Sequence, residues 1–296
     1  MKTKYSEKKI TQIVKNIYPN AKNMLNMIEG DTSQTYYFET EDKKLVIQTS
    51  KDIQGYKKEA YIYKLFSQII NVRKVLKMDK VENDIYYCIT EYIDAKRLQD
   101  LESKELTKNV KYIMKIFKTL AEIKIPENIG FGYFNSEGIA NFKTWVEYIN
   151  AVIYEYQWSS VDLYGKGLTT KCIDEIKKYN NILDNKKSLI HGDFGSSNVL
   201  NNDDYVYLID WGLSLYGDPL YEVANVLFWN ENCLIPLIDE IKKEYLNDEN
   251  TIIRIYIYIL RIGLEEIYRT IQSGSNSCDN KWVKERIEEI VYTFIN

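Results

Sequence analysis

The ten residues HGDFGSSNVL, from His191 to Leu200, gather side chains suited to moving a phosphoryl group. Such a transfer asks little covalent chemistry of a protein. It needs a carboxylate beside the attacking hydroxyl and oxygen ligands that hold Mg2+ on the phosphates. Asp193 and Asn198 stand five apart in the pattern H-x-D-x-x-x-x-N, and LIDWG follows, with Asp210 closing an apolar run. Asp193 is read as the base that accepts or orients the acceptor hydroxyl, and Asn198 and Asp210 as metal ligands. A lone Asp in a loop is usually a turn residue, so the weight rests on the full set at this spacing. His191 is the only histidine of the chain. Its near-neutral titration could suit a base, but in this pattern the Asp does the chemistry, and His191 is read as scaffold that ties the loop down.

Around the motif, short apolar segments at 189–190, 199–200 and 206–209 alternate with polar residues, which predicts a strand-loop-strand insert in an otherwise helical region. Upstream, Ile10, Ile13, Val14 and Ile17 recur at helical spacing after Ser6, a capping residue, until Pro19 stops the pattern. Residues 35–40 and 45–49 are β-branched and aromatic and flank a polar turn, which predicts a hairpin. Ile62, Phe66, Ile69 and Ile70 mark a helix, and 73–81 and 85–93 two more strands. From about Asp94 the helical period dominates, with one stripe over Leu106, Val110, Ile113, Phe117 and Leu120 and another over Trp145, Tyr148, Ile149 and Val152. The reading is an α+β chain: a small sheet carrying one helix over 1–93, then a mostly helical unit over 94–296.

Composition narrows the function classes. With 45% hydrophobic and 14% aromatic residues, the chain has the apolar surface a folded core demands. Its 39 basic and 43 acidic side chains leave a charge of -4, which argues against nucleic acid and suits a cationic ligand. Cys88, Cys172, Cys233 and Cys278 form no C-x-x-C pair, so free thiols in a reducing compartment are expected. The charged N-terminus lacks the apolar stretch of a secretory signal, and the apolar run 255–260 lies between Arg254 and Arg261, far short of a membrane span. A cytoplasmic monomer, binding no membrane, is expected.

HGDFGSSNVL with LIDWG resembles the aminoglycoside phosphotransferases, kinase-like enzymes that inactivate antibiotics. The segments GDTSQTYYFE, YYCITEY, GFGYFNSEGI, YGDPLYEVANVLFW and LRIGLEEIYRTIQSG are similar, in this order, to segments of the hygromycin B phosphotransferases. The resemblance implies a protein-kinase-like, two-lobed fold. Residues 1–93 would form a nucleotide-binding lobe with a five-stranded antiparallel sheet, and 94–296 a helical lobe for catalysis and acceptor binding. ATP, or GTP, with Mg2+ is implied. The backbone of Glu91, Tyr92 and Ile93 would read the adenine edge, and residues 30–35, Ser33 among them, would cover the phosphates. One position departs from the family. Gln48 stands where a basic side chain normally meets the phosphates, which shifts that task to Mg2+ or to a nearby lysine such as Lys44 or Lys51, and leaves the role of Glu59 open.

The implied reaction carries the γ-phosphoryl group to a hydroxyl of an aminocyclitol antibiotic, hygromycin B foremost. Such an acceptor bears several ammonium groups, so carboxylates should select it. Glu222, Glu231 and Glu265, with Asp162 and Glu266, are the candidates. Trp229 and Trp158 could stack on sugar faces, and Ser197, beside Asn198, could touch the acceptor. Asp218 is read as a brace. Two alternatives remain: a small-metabolite kinase of the choline or homoserine type, and a non-catalytic nucleotide-binding module, which the missing cation at Gln48 motivates.

Overall fold

A computed structural model describes residues 5–27, 33–156, 158, 166–202, 205–273 and 280–295. The chain divides by contact into two units: Met1–Lys96 with Asn135–Gly138 and Val199–Leu213, and Arg97–Phe134 with Ile139–Asn198 and Ser214–Asn296.

In the first unit, Ser6 caps helix α1 (Glu7–Ile17) by accepting from the Lys9 N–H. Its apolar face, Ile10 and Val14, is fully buried. Strands β1 (Lys22–Asn26), β2 (Gln34–Glu39), β3 (Lys44–Ser50), β5 (Val75–Glu82) and β6 (Ile85–Glu91) form an antiparallel sheet in the order β1-β2-β3-β6-β5. Tyr36 and Phe38, Leu45 and Ile47, and Tyr87 and Ile89 alternate onto one face and pack against Ile10 and Val14. Burying each large apolar side chain contributes about 1.5–3 kcal/mol. Strand β1 escaped the sequence reading because its residues are largely exposed and carry no apolar alternation. Helix α2 (Ile53–Phe66), capped by Asp52, ends at Phe66, so Ile69 and Ile70 lie beyond it rather than within it.

A second sheet explains why 199–213 group with this unit and not with the helical one. Strand β12 (Tyr205–Leu208) pairs antiparallel with β11 (Val199–Asn202) and parallel with β4 (Asn71–Val72). The Asn71 amide seals the junction by donating to the Val206 carbonyl at 3.1 Å. Arg73 therefore follows β4 in a connection, outside the strand expected from 73 onward.

The second unit is mostly helical: α3 (Ser103–Glu122), α4 (Trp145–Tyr154), α5 (Lys166–Lys178), α6 (Leu220–Trp229), α7 (Ile235–Tyr245), α8 (Glu249–Ser273) and α9 (Asn280–Ile295). Capping boxes start α3, through Glu102 and Glu105, and α4, through Thr144 and Glu147. A small antiparallel sheet, β10 (Ser188–Ile190), β13 (Leu215–Gly217), β8 (Phe131–Phe134) and β9 (Ala140–Phe142), ends β10 at the chemical motif. Gly217 is required there, since a Cβ would sit 2.1 Å from the Trp145 ring. Asp218 follows as a brace: wholly buried, it accepts from the Leu220 N–H at 3.1 Å, from Arg254 Nε at 2.9 Å and from the Tyr258 hydroxyl at 2.6 Å. The apolar run 255–260 lies in the middle of α8 and is buried. Among the described residues no helix is long and apolar enough to cross a membrane.

Candidate active site

The loop between β10 and β11 carries the motif, and its shape follows from a few local rules. Gly192 takes φ +79, a left-handed conformation that favours glycine and turns the chain after β10. His191 is fully buried, and the Asp193 N–H donates to its Nδ1 at 3.3 Å. The ring thus holds the backbone of Asp193, as a scaffold residue should. Phe194, also buried, pins the far side of the loop to α3 through the Phe117 ring, with centroids 4.7 Å apart.

Helix α6 clamps the same turn. Glu222 accepts from the His191 N–H at 2.5 Å and the Gly192 N–H at 3.3 Å, while Asn225 donates to the Gly192 carbonyl at 2.9 Å. Three apart on one helix face, these two side chains satisfy groups that burial would otherwise leave unpaired. Removal from water pushes the Glu222 carboxyl up to about 7, against the pull of the backbone N–H groups it accepts from. Glu231 holds the next stretch, accepting from the Ser196 N–H at 2.9 Å and from the Ser196 hydroxyl.

On this loop the structure brings Asp193 and Asn198 together. Asn198 Nδ2 donates to Asp193 Oδ2 at 2.8 Å and to the Asp193 carbonyl at 3.0 Å. The amide therefore orients the carboxylate and keeps its own Oδ1 turned away as an acceptor, met only by a long contact from Ser197 Oγ at 3.4 Å among the described residues. Ser197 is exposed. A fixed carboxylate beside an amide oxygen can take a proton from a hydroxyl and supply an oxygen ligand to a hard cation.

Asp210 belongs to the first unit. It has φ +63, left-handed for a non-glycine residue, and such strain concentrates at functional positions. Its neighbours hold it there. Trp211, fully buried, donates its indole N–H to the Leu208 carbonyl at 3.1 Å, and Lys58 on α2 donates to the Gly212 carbonyl at 2.8 Å. Burial pushes the Lys58 ammonium down to about 8. Asp210 lines a pocket with Ser33, Gln48, Glu59 and Arg73, so the structure does assemble Ser33, Gln48 and Asp210. Arg73 was not anticipated. It forms a buried ion pair with Glu59, through Nε and through Nη2 at 2.9 Å, and Nη2 also donates to Gln48 Oε1 at 2.7 Å.

At the end of β6, the Glu91 N–H donates to the Lys74 carbonyl at 3.2 Å and the Tyr92 N–H to the Lys44 carbonyl at 3.0 Å. Two of the three N–H groups of the backbone expected to read the adenine edge are thereby taken within the chain. Ile93 keeps its own, with no hydrogen bond among the described residues. The Tyr92 ring stands edge-on to Tyr37, with centroids 4.9 Å apart.

Several side chains nominated for the acceptor do other work. Glu222 and Glu265 are both buried, and both carboxylates are engaged inside the protein, Glu222 by the His191 and Gly192 N–H groups. Glu265 pairs with Arg261 and accepts from the Tyr133 hydroxyl at 3.3 Å; burial would raise it, but Arg261 and Arg269 outweigh that and hold it below the usual range. Glu231 is committed to Ser196, and Glu266 pairs with Arg269 at 2.9 Å. Trp229 stacks on Trp282 with centroids 5.6 Å apart, and Trp158 donates to the Val152 carbonyl at 2.7 Å beside Tyr268. Asp162 lies outside the described residues. Sequence reasoning also missed Asn225, three residues after Glu222 on α6.

The donor set can be tested against Mg2+ on its chemistry. Asn198 Oδ1 and the carboxylates of Asp193 and Asp210 are oxygen donors, the type a hard cation takes. Among the described residues no group of three or more His, Cys, Asp and Glu stands preassembled around a metal position. A metal brought in on substrate phosphates, keeping several waters, needs only one or two protein carboxylates, and by donor type the residues of each unit suit that role.

Known proteins match this chain over most of its length. The family model described as "Phosphotransferase enzyme family" matches residues 25–253. The hygromycin-B 4-O-kinase of Escherichia coli is 28% identical over 285 residues, 93% of this chain and 82% of that protein. The crystal structure of a thermostable mutant of aminoglycoside phosphotransferase APH(4)-Ia, a ternary complex with AMP-PNP and hygromycin B, is 27% identical and has a TM-score of 0.87, covering 95% of this chain and 97% of that one. An aminoglycoside 2'-phosphotransferase-IIIa mutant in complex with GDP, 13% identical, shares the fold at a TM-score of 0.66 over 96% of each chain. The antiparallel-sheet unit and the mostly helical unit are thus those of the kinase-like phosphotransferase fold, and the chain belongs to the phosphotransferase enzyme family.

Proposed function

We propose that this protein transfers the γ-phosphoryl group of ATP to a hydroxyl of hygromycin B or a closely related aminocyclitol, with Mg2+, in the cytoplasm. The observation that carries the reading is the Asp193 carboxylate, fixed by Asn198 at 2.8 Å on a loop clamped by His191, Glu222, Asn225 and Glu231. A carboxylate held this firmly avoids the entropy cost of finding its position at each turnover. What the relatives' structures hold, AMP-PNP and hygromycin B, supports the choice of nucleotide and acceptor.

Asp193 accepts the proton of the acceptor hydroxyl as its oxygen bonds to the γ-phosphorus, while the bond from that phosphorus to the bridging oxygen of the leaving diphosphate breaks. ADP and the phosphorylated acceptor result. Asn198 orients Asp193 through Nδ2, and Asn198 Oδ1 and the Asp210 carboxylate are the oxygens that would be available to hold Mg2+ on the phosphates. Mg2+, when bound, neutralises charge on the phosphates. The adenine edge is read at 91–93, where the Ile93 N–H is the donor left open.

The test is mass spectrometry of purified protein incubated with ATP, Mg2+ and a panel holding hygromycin B, other aminocyclitols, choline and homoserine. Gain of one phosphate by hygromycin B is the expected result. Phosphate on choline or homoserine alone would replace the acceptor claim with a metabolite kinase, and no product with any member would overturn the reading.

A further inference from the structure

Arg73 and Gln48 resolve a question that the sequence raises and leaves open: where the cation for the triphosphate comes from when the usual strand position carries an uncharged amide. We propose that Arg73, arriving from the connection between β4 and β5, is the phosphate-binding cation of this enzyme, with Gln48 and Glu59 as its positioning residues. The inference rests on the ATP-dependent reading above.

Three observations carry it, all within the first unit. The Arg73 guanidinium is the cation that closes the buried pair with Glu59 on α2, the carboxylate whose partner was left open when β3 proved to hold a glutamine. Gln48 is turned toward it, accepting from Nη2 at 2.7 Å, so the β3 side chain anchors the cation instead of supplying one. Finally, Nε and Nη2 take all of these contacts, and Nη1 makes no hydrogen bond among the described residues, in a side chain that lines the pocket shared by Ser33, Ser50 and Asp210. One edge of a rigid planar fork is fixed, and the other remains for a ligand oxygen. Lys44 pairs with Asp94 at 3.4 Å and is half exposed, a poor substitute for a buried fork. Lys58 is committed to the Gly212 carbonyl.

The arrangement constrains which substitutions can coexist. A single nitrogen of Arg73 touches both Gln48 and Glu59, so a cation at either position is within reach of Glu59, and cations at both would repel each other. Arg73→Gln should weaken ATP binding about 10- to 100-fold, the size of lost charge-assisted hydrogen bonds, and leave adenosine binding within about twofold. Gln48→Lys alone should also weaken ATP, through repulsion. The double variant Gln48→Lys/Arg73→Gln should recover at least about tenfold of what Arg73→Gln loses, a rescue that a merely structural Arg73 would not produce.

Calorimetric titration of each variant with ATP, and separately with adenosine, in the presence of Mg2+, reads these effects without any acceptor. Because Arg73→Gln strands a buried carboxylate, Glu59→Gln/Arg73→Gln serves as the neutral pair. It should unfold near the wild-type temperature yet bind ATP as weakly as Arg73→Gln. Unchanged ATP affinity in the neutral pair, or no rescue in the relocated-cation variant, overturns the role of Arg73 and leaves the kinase reading standing. Wild-type protein that binds ATP but phosphorylates nothing in the panel sinks the acceptor claim and leaves the Arg73 inference intact; wild-type protein blind to ATP sinks both.

Discussion

Asp193 is a carboxylate whose two flanking constraints, the Asn198 amide on its Oδ2 and the His191 ring under its N–H, fix its position more than its charge. Replacing it with asparagine preserves shape and removes the proton acceptor. Asp193→Asn should lower kcat by at least about 100-fold, the typical worth of a positioned base, with KM for ATP within a few-fold. Steady-state kinetics decide this, and unchanged turnover would end the assignment of the base. Glu222 poses a different question at the same scale. Burial raises it from 4.5 in the unfolded chain to about 7. A carboxyl that holds its proton more tightly when folded contributes stability that is complete below 4.5 and lost as the pH rises through 7. Unfolding free energies from denaturant titrations between pH 5 and 8 should therefore fall with pH by at most about 1.4 kcal/mol per unit from this group, and Glu222→Gln should flatten that slope.

Helices α6 and α8 are the elements that brace the motif loop. The Glu222 and Asn225 face of α6 holds the backbone of the turn at 191–192, while α8 holds the start of α6 through Asp218, Arg254 and Tyr258. The Tyr258 hydroxyl accepts from Trp145 Nε1 at 2.9 Å and donates to Asp218, so one oxygen links three elements in the interior. Tyr258→Phe leaves the Trp145 N–H without an acceptor and the buried Asp218 short of a donor. We expect a loss of about 1–3 kcal/mol and a melting temperature lower by about 2–10 °C, read by calorimetry. Much of this scaffolding was beyond the sequence reading. Periodicity marks α3, α4 and the β2–β3 hairpin because their apolar faces repeat, but β1 is exposed and the β8–β9 pair is short, so neither leaves an alternating signature. The internal partners of the acidic residues nominated for the acceptor were hidden for a related reason. Charge is visible in a sequence, whereas burial depends on what packs above the side chain, and Glu222 and Glu265 are buried.

At the scale of the molecule, a kinase-like phosphotransferase should be stabilised by its nucleotide. ATP with Mg2+ at about 100 times its dissociation constant should add about 2.7 kcal/mol to the folded state, raising the melting temperature by several degrees. Chelation of Mg2+ with EDTA should remove most of that gain and stop transfer to hygromycin B. A thermal shift indifferent to EDTA would argue that the cation plays no part in holding the phosphates.

By itself the sequence determined the reaction class and the position of the motif proposed to carry it. Asp193, Asn198 and Asp210 were legible because phosphoryl transfer demands those residue types at a spacing that local chain geometry sets, and short-range order is written in short-range sequence. Tertiary structure alone decided which charges are used and which are spent. Glu59 and Gln48 meet Arg73 across 14 and 25 positions of chain, and Glu222 reaches back 31 to His191. No periodicity encodes such distances. They follow from how sheets and helices pack, which decides whether a carboxylate faces a ligand or braces the loop that does.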